Sequence, residues 1–482
     1  MKRTFLAPDL EISRVITGLW QIADMERDGQ TLDPVATAEY MAPYVEAGLT
    51  TFDMADHYGS SEIITGTFKN THALGHRVQL FTKWVPKPGK LDKATVRSAI
   101  QLALDRMQQN AIDLMQFHAW YYPDPAWLDG LFYLKELKEE GLIKHIGVTN
   151  FDAAHLRIAL ASGIPIVSNQ VCHSLIDQRA MGKMVAVCKQ YNTKILAFGT
   201  LAGGFLTDKW LNKPEPKMED LETWSEMKYK RFIDAAGGWE PYQRLLNVTH
   251  SVANKHGVSL ANIASRFILE NPAVGAVIVG ARLGRSEHIE DNQKMLDIEL
   301  DGEDVALIKA AQSELDLIPG DCGDEYRKPP FLTASGDLSH HLETIPKAFQ
   351  SIKKSDSRSQ IFSGTEWEDY AGYCRAVKDG NRVHVSGTTA THGSEMIGGN
   401  DPIAQTHFVI DKIEAAIESF GGSLEDVVRT RIFVNNLDDW EPVARAHGDR
   451  FKDINPANTL VEARLVGEGY LVEIEAEAVI NS

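Results

Sequence analysis

Residues 78–84 read VQLFTKW, residues 93–108 read KATVRSAIQLALDRMQ, and residues 112–118 read IDLMQFH. The outer runs are short and apolar, whereas the middle run repeats apolar residues three and four apart with charges on its other face. Strand, amphipathic helix and second strand together make the βα repeat of a parallel sheet. Outward from this unit the alternation extends from about residue 47 to 315. It predicts strands at Leu49–Ala55, Val78–Trp84, Ile112–His118, His145–Asn150, Ile166–Val171, Lys194–Gly199, Val274–Gly280 and Leu296–Leu300. Eight units of this size fit an α/β fold closed as a (β/α)8 TIM barrel. An open doubly wound sheet fits less well, because no Gly-x-Gly-x-x-Gly turn follows the first strand. Residues 4–20 are then expected to form a hairpin under the barrel.

Polar residues close several of these runs. Asp53 ends LTTFD, Lys83 ends VQLFTK, His118 ends IDLMQFH, and Tyr58 follows Asp53 by five residues. Strand ends of such a barrel converge on its C-terminal rim, so the four are expected to share one basin at the ends of strands one to three. A free phenol titrates near pH 10, and a neighbouring ammonium lowers that value. Lys83 is expected to act on Tyr58 in this way, with Asp53 keeping the lysine charged and His118 orienting a substrate carbonyl. Trp20, Trp84, Trp120, Tyr121 and Tyr122 lie in or beside rim segments and are candidates for an apolar pocket wall, with Trp20, Trp84 and Trp120 expected to bind substrate. The lysine-, glutamate- and proline-rich insertion at 208–240 is expected on the same face.

At 482 residues the chain is long enough for two or three domains. Apolar residues make up 43% and charged residues 24%, which argues against disorder. A net charge of −18 disfavours nucleic acid and anionic membrane as partners. Cys172, Cys188, Cys322 and Cys374 show no CxxC pair or metal-ligand spacing, so no metal and no disulfide framework is expected; Cys172 and Cys188 read as buried thiols. The opening residues contain no apolar signal-type run, and a cytoplasmic protein is expected.

The stretches FDMADHYG (52–59), TK (82–83), DLMQFH (113–118), GVTNF (147–151) and SNQ (168–170) together resemble the aldo-keto reductases over about residues 1–318. The resemblance implies an NAD(P)H-dependent reductase of a small aldehyde or ketone, with Tyr58 as general acid and Asp53, Lys83 and His118 completing a tetrad. It implies that Thr149, Asn150 and Gln170 hold the nicotinamide carboxamide and that Phe198 stacks on the ring, where the family usually has tyrosine. It places Gly199, Leu201 and Gly203 by the pyrophosphate, and Gly280, Arg282, Arg285, His288 and Asn292 by the adenosine phosphate. Arg282 or Arg285 facing a ribose phosphate favours NADPH, with NADH as the alternative. His173, where the family often has tyrosine, reads as a core or rim histidine.

Residues 319–359 lose periodicity and are expected to connect two domains. From 360 to 482 the order ββαβαβ predicts a smaller α+β domain, with strands at Tyr370–Val377, Arg382–Thr388, Val427–Val434 and Leu471–Val479. RVHVSGTT (382–389), VVRTRIFV (427–434), NPANTLVE (455–462) and VEIEA (472–476) resemble the RidA/YjgF reactive-intermediate deaminases, whose fold is chorismate-mutase-like. That family forms trimers, which implies a homotrimer here. Its deaminases place an arginine after the Pro-Ala pair to grip a substrate carboxylate; this chain has Asn458 there and Leu460 where cysteine is common, while Glu473 remains. A neutral amide lacks the charged two-pronged grip of a guanidinium, so assembly or ligand binding is expected over deamination. Arg429, Arg431 and Arg464 are candidates for a cleft lining. The alternatives are a nicotinamide-redox sensor without catalysis, and a bifunctional protein with a working deaminase domain.

Overall fold

The computed structural model describes residues 3–26, 29–285 and 288–481. Strands β1 (Arg3–Ala7) and β2 (Leu10–Ser13) form an antiparallel hairpin. Next come β3 (Val15–Gly18), β4 (Thr51–Asp53), β5 (Gln79–Trp84), β6 (Ile112–His118), β7 (Ile143–Thr149), β8 (Ile166–Cys172), β9 (Lys194–Phe198) and β10 (Val274–Gly280). These eight close into a parallel barrel in which β10 pairs with β3. Leu6, Leu10 and Ile12 of the hairpin pack with Ile16, Phe81, Leu114 and Leu196, so the hairpin seals the floor of the barrel.

Two expectations are corrected. Val15–Gly18 is the first barrel strand, which confines the hairpin to residues 3–13. Leu296–Leu300 is no strand: Met295–Asp297 forms a 3-10 turn. Barrel strands are covered on both faces, and every residue of β3 is buried. Leu296–Leu300 instead interleaves exposed Asp297 and Glu299, a one-sided pattern that suits a surface segment. Asp53, Lys83 and His118 therefore lie on the second to fourth strands, and the 208–240 insertion follows the seventh.

The helices follow local sequence rules. Asp92 caps Lys93–Met107 by accepting from the Thr95 amide at 2.7 Å, and Gln108 ends it in the left-handed region. Asp152 caps Ala153–Ala161 through the His155 amide at 2.8 Å.

The second domain is a seven-stranded sheet of β11 (Ile352–Lys353), β12 (Arg358–Ile361), β13 (Ala376–Asp379), β14 (Arg382–Thr389), β17 (Val427–Val434), β18 (Ala457–Glu462) and β19 (Val472–Val479), in the order β11-β12-β13-β14-β19-β17-β18. A small hairpin, β15 (Thr391–His392) and β16 (Glu395–Met396), follows β14. Helix Pro402–Glu418 lies on β14 and β19 and packs against helix Trp440–Phe451. The expected ββαβαβ order omitted β18, which pairs parallel to β17. Tyr370 belongs to a short helix, Glu366–Ala371, rather than to a strand.

Helix Ala153–Ala161 of the barrel packs on helix Pro402–Glu418. Arg157 pairs with Asp401 at 2.8 Å, His392 with Asp129 at 2.7 Å, and His155 with Asp411 at 3.0 Å across this junction. The segment expected to be a plain connection also packs: Cys322, Glu325, Arg327, Thr333 and Asp337 are buried against the barrel mouth.

Candidate active site

A cavity of about 1050 Å³ opens at the C-terminal ends of the barrel strands. Asp53, Tyr58, Lys83 and His118 all line it. After β4 the chain is fixed to β5, with Met54 N donating to Phe81 O at 2.8 Å and Asp56 N to Lys83 O at 2.9 Å, and this turn carries Tyr58 over the mouth.

Lys83 Nζ donates to Asp53 Oδ2 at 2.6 Å and to Met54 O at 2.7 Å, and lies 4.9 Å from the centre of the Tyr58 ring. The other oxygen of Asp53 accepts from Gln116 Nε2 at 2.9 Å and Gln170 Nε2 at 2.7 Å. Gln116 was not anticipated; it faces the rim two residues before His118, and strand alternation alone points to it. Gln170 also donates to Gln116 Oε1 at 2.9 Å, which commits its amide nitrogen to the ion pair and leaves only its oxygen for a ligand.

Electrostatics correct one expectation. The Tyr58 phenol is pushed well above its ordinary value, first by burial and then by Asp53, Tyr326 and Asp56. Burial likewise lowers Lys83, against the raising effect of Asp53. Desolvation dominates at both groups, because neither meets enough water to stabilise its charged form. The phenol thus holds its proton. His118 is held well below the ordinary histidine value by burial and then by the Arg327 charge, so its ring is neutral near pH 7. Both of its buried ring nitrogens lack a hydrogen-bond partner.

Thr149, Asn150, Gln170, Phe198, Gly199, Leu201, Gly203, Gly280, His288 and Asn292 line the same cavity. The Asn150 Oδ1 atom is buried without a partner. Gly199 has φ +73°, and a Cβ there would sit 2.2 Å from the Tyr229 hydroxyl, so only glycine fits this backbone beside the cavity. Arg282 and Arg285 do not line the cavity wall; both are exposed on the loop after β10.

Of the aromatic candidates, Trp20 and Trp120 line the cavity. Trp20 meets the Tyr58 ring edge-on at 5.0 Å, and Trp120 donates to Pro86 O at 2.6 Å. Trp84 does not line it: it is core, 5.6 Å from Phe117, because it follows Lys83 on the strand and points to the opposite face. Tyr121 borders a smaller neighbouring groove, and Tyr122 is buried, stacked on His155 at 3.5 Å. His173 is buried and bonded to Asp177 O, and Cys172 and Cys188 are buried thiols.

Residues that sequence reasoning missed come from outside the strand ends. Lys209, Lys228 and Tyr229 enter from the insertion, Tyr326 and His341 from the segment after the barrel, and Asp291, bonded to Ser259 and Asn262, from the helix after β10. No periodicity marks such positions. Among the described residues no group of three or more His, Cys, Asp or Glu side chains is gathered as a metal site, and no helix is long and apolar enough to cross a membrane.

In the second domain Asn458 donates to Thr430 Oγ1 at 2.9 Å, and that hydroxyl also bonds His447 Nε2 at 3.0 Å. Arg431 is held by Glu475 and Glu477, whereas Arg429 and Arg464 are exposed.

A model described as the aldo/keto reductase family matches residues 14–313, and one described as Endoribonuclease L-PSP matches residues 365–480. Aldo-keto reductase YhdN of Bacillus subtilis is 25% identical over 337 residues, covering 67% of this chain and 96% of its own. An uncharacterised protein of Streptomyces coelicolor is 37% identical over 125 residues, 26% of this chain and 93% of its own. The structure of glycerol dehydrogenase AKR11B4 from Gluconobacter oxydans shares the fold at a TM-score of 0.55 and 21% identity, covering 66% of this chain and 97% of that one. The chain therefore belongs to the aldo/keto reductase family of oxidoreductases, and it carries a RidA/YjgF-like domain after the barrel.

Proposed function

We propose that the barrel reduces an aldehyde or ketone with NAD(P)H, Tyr58 protonating the carbonyl oxygen. One observation carries the reading: a neutral, unpartnered His118 imidazole shares a cavity with a protonated Tyr58 and the Asp53–Lys83 pair. The family generally uses NAD(P)H, and the residues fit it. Asn150 Oδ1 and the Gln170 oxygen suit a carboxamide, Phe198 offers a ring face, and Gly199 and Gly203 line the same cavity, where their backbone suits a pyrophosphate. Arg282 and Arg285, exposed beside the cavity, favour the 2′-phosphorylated form. When bound, the nicotinamide supplies hydride to the carbonyl carbon.

The protein's own part is proton delivery and positioning. His118 donates a hydrogen bond to the carbonyl oxygen, which sets its angle toward Tyr58 and stabilises charge that develops there. Tyr58 gives its proton to that oxygen, and Lys83, anchored by Asp53, stabilises the phenolate that remains until solvent reprotonates it. Steady-state NADPH oxidation with an aldehyde panel tests the reading. Tyr58→Phe should lose about 10²–10⁴-fold in kcat while still binding NADPH. Full activity in that variant refutes Tyr58 as the general acid, and NADPH binding without any turnover in the wild type refutes catalysis and leaves the sensor reading.

For the second domain we propose assembly, as a homotrimer, rather than deamination. Asn458 is neutral and already bonded to Thr430, which supports no grip on a carboxylate. β18 is an edge strand, and Val461 on it and Val428 on β17 are exposed apolar residues. Light scattering of the full chain checks this; a monomer refutes it. We further propose a cytoplasmic location, which the cysteine usage supports, and, on the net charge of −18, a small-molecule rather than a nucleic-acid or anionic-membrane partner.

A further inference from the structure

Lys228 projects from helix Trp224–Ala235 into the cavity, and Tyr326 reaches the same spot from the segment after the barrel. Neither element belongs to the strand ends. Lys228 Nζ donates to the Tyr326 hydroxyl at 2.8 Å. The Lys228 side chain is 11% exposed, and its nearest carboxylate oxygen, Glu325 Oε1, stands 4.0 Å off, too far for a hydrogen bond, while Glu325 Oε2 pairs with Arg179 at 2.9 Å. An ammonium has three N–H groups, so two on Lys228 have no oxygen acceptor within hydrogen-bond reach; around them stand the faces of Phe198 at 5.0 Å and Tyr229 at 5.4 Å. Because the Tyr326 oxygen accepts from Lys228, its own O–H is also free to donate. The Tyr326 ring lies edge-on to the His118 ring at 6.1 Å. Three spare donors and one positive charge thus face the space beside the carbonyl-binding imidazole.

We propose that Lys228 and Tyr326 form an anion subsite, which makes the substrate of the proposed reductase an aldehyde or ketone bearing a carboxylate. The inference rests on the reductase reading of the same cavity. An acceptor with negative charge satisfies all three donors at once, whereas a neutral substrate leaves a desolvated ammonium short of partners. Burial works against the Lys228 charge, but Tyr326, Glu325 and Cys172 outweigh it and the value is raised; near neutral pH, where the phenol and the thiol hold their protons, the Glu325 carboxylate carries the effect. The apolar walls, Trp20 and Trp120, suit the substrate's remaining body.

A binding measurement separates this inference from turnover. Full-length Tyr58→Phe protein saturated with NADPH is titrated calorimetrically with 4-formylbenzoate and with its methyl ester. The acid should bind about tenfold or more tightly than the ester. Adding Lys228→Met, which keeps the stem volume, should erase the preference and leave the ester within about twofold; adding Tyr326→Phe should reduce it in part. Equal affinity for acid and ester, absence of binding by either, or a preference that survives Lys228→Met overturns the subsite. NADPH affinity of Lys228→Met should match that of Tyr58→Phe alone; a parallel loss would assign Lys228 to the cofactor and overturn the proposal. If the acid binds as described but wild-type protein reduces neither compound, the reductase reading fails and the subsite stands.

Discussion

Replacing His155 by leucine tests how the two domains are held together. The imidazole is buried at the junction, with Nδ1 on Asp152 at 2.7 Å, Nε2 on Asp411 at 3.0 Å, and its face stacked on Tyr122. Leucine keeps most of the volume and removes both charge-assisted bonds. Breaking a buried ion pair costs about 3–5 kcal/mol, because the surviving charge is left without compensation. Here both carboxylates keep a partner: Asp411 keeps Arg450 at 2.6 Å, and Asp152 keeps the residue-155 amide at 2.8 Å. The lower end, about 3 kcal/mol, is therefore expected, equivalent to a fall of roughly 6–12 °C in the transition of the affected unit. Burial lowers the His155 pKa, but Asp152 and then Asp411 outweigh it, so the folded value is raised. Such a group stabilises fully below its unfolded value of about 6.5, and the contribution is lost as pH rises through the raised folded value. Asp152 and Asp411 are both lowered against burial, chiefly by His155 and by Arg450 respectively, and remain ionised throughout. Scanning calorimetry of the full chain at pH 6 and pH 9.5 should show a wild-type advantage that is large at pH 6 and smaller at pH 9.5. A loss under about 1 kcal/mol at pH 6, or a difference independent of pH, would refute the reasoning.

Other consequences are quicker to check. Asp53→Asn leaves Lys83 buried without its anion, which should destabilise by about 3–5 kcal/mol and depress kcat together, read by thermal unfolding and NADPH oxidation. Since Tyr58 is held above and His118 below their ordinary values, kcat for reduction should stay flat through neutral pH, falling in acid as His118 charges and in base as the lowered Lys83 loses its charge. Gly199→Ala combines a positive φ with a 2.2 Å approach to the Tyr229 hydroxyl, so it should cost about 1–3 kcal/mol and weaken NADPH binding, measured by fluorescence titration. Arg282→Ala with Arg285→Ala should raise KM for NADPH several-fold and leave that for NADH unchanged, each exposed contact contributing about 0.5–1 kcal/mol.

The barrel fold, the second domain and the gathering of Asp53, Tyr58, Lys83 and His118 at one rim were legible before any packing was known. Parallel strands covered on both faces read as apolar runs, and a polar residue closing such a run has only the rim to occupy, which is why Asp53, Lys83 and His118 were legible one by one. The eighth strand was not: Val15–Gly18 is four residues long, and only pairing with β10 on one side and β4 on the other makes it a strand. Trp84 was misplaced because a composition of rim aromatics carries no facing, whereas strand alternation sends it into the core. The outer wall of the cavity, by contrast, is set by long-range packing alone. Lys228 lies 145 residues beyond Lys83 in a charged insertion, and Tyr326 lies in a stretch without periodicity. Nothing local distinguishes a solvated lysine from one desolvated against Phe198 and Tyr326, because that difference is made entirely by which distant segments pack over it. The direction of the Tyr58 shift was settled the same way: the sequence supplied the ammonium, and the depth of burial decided that desolvation wins.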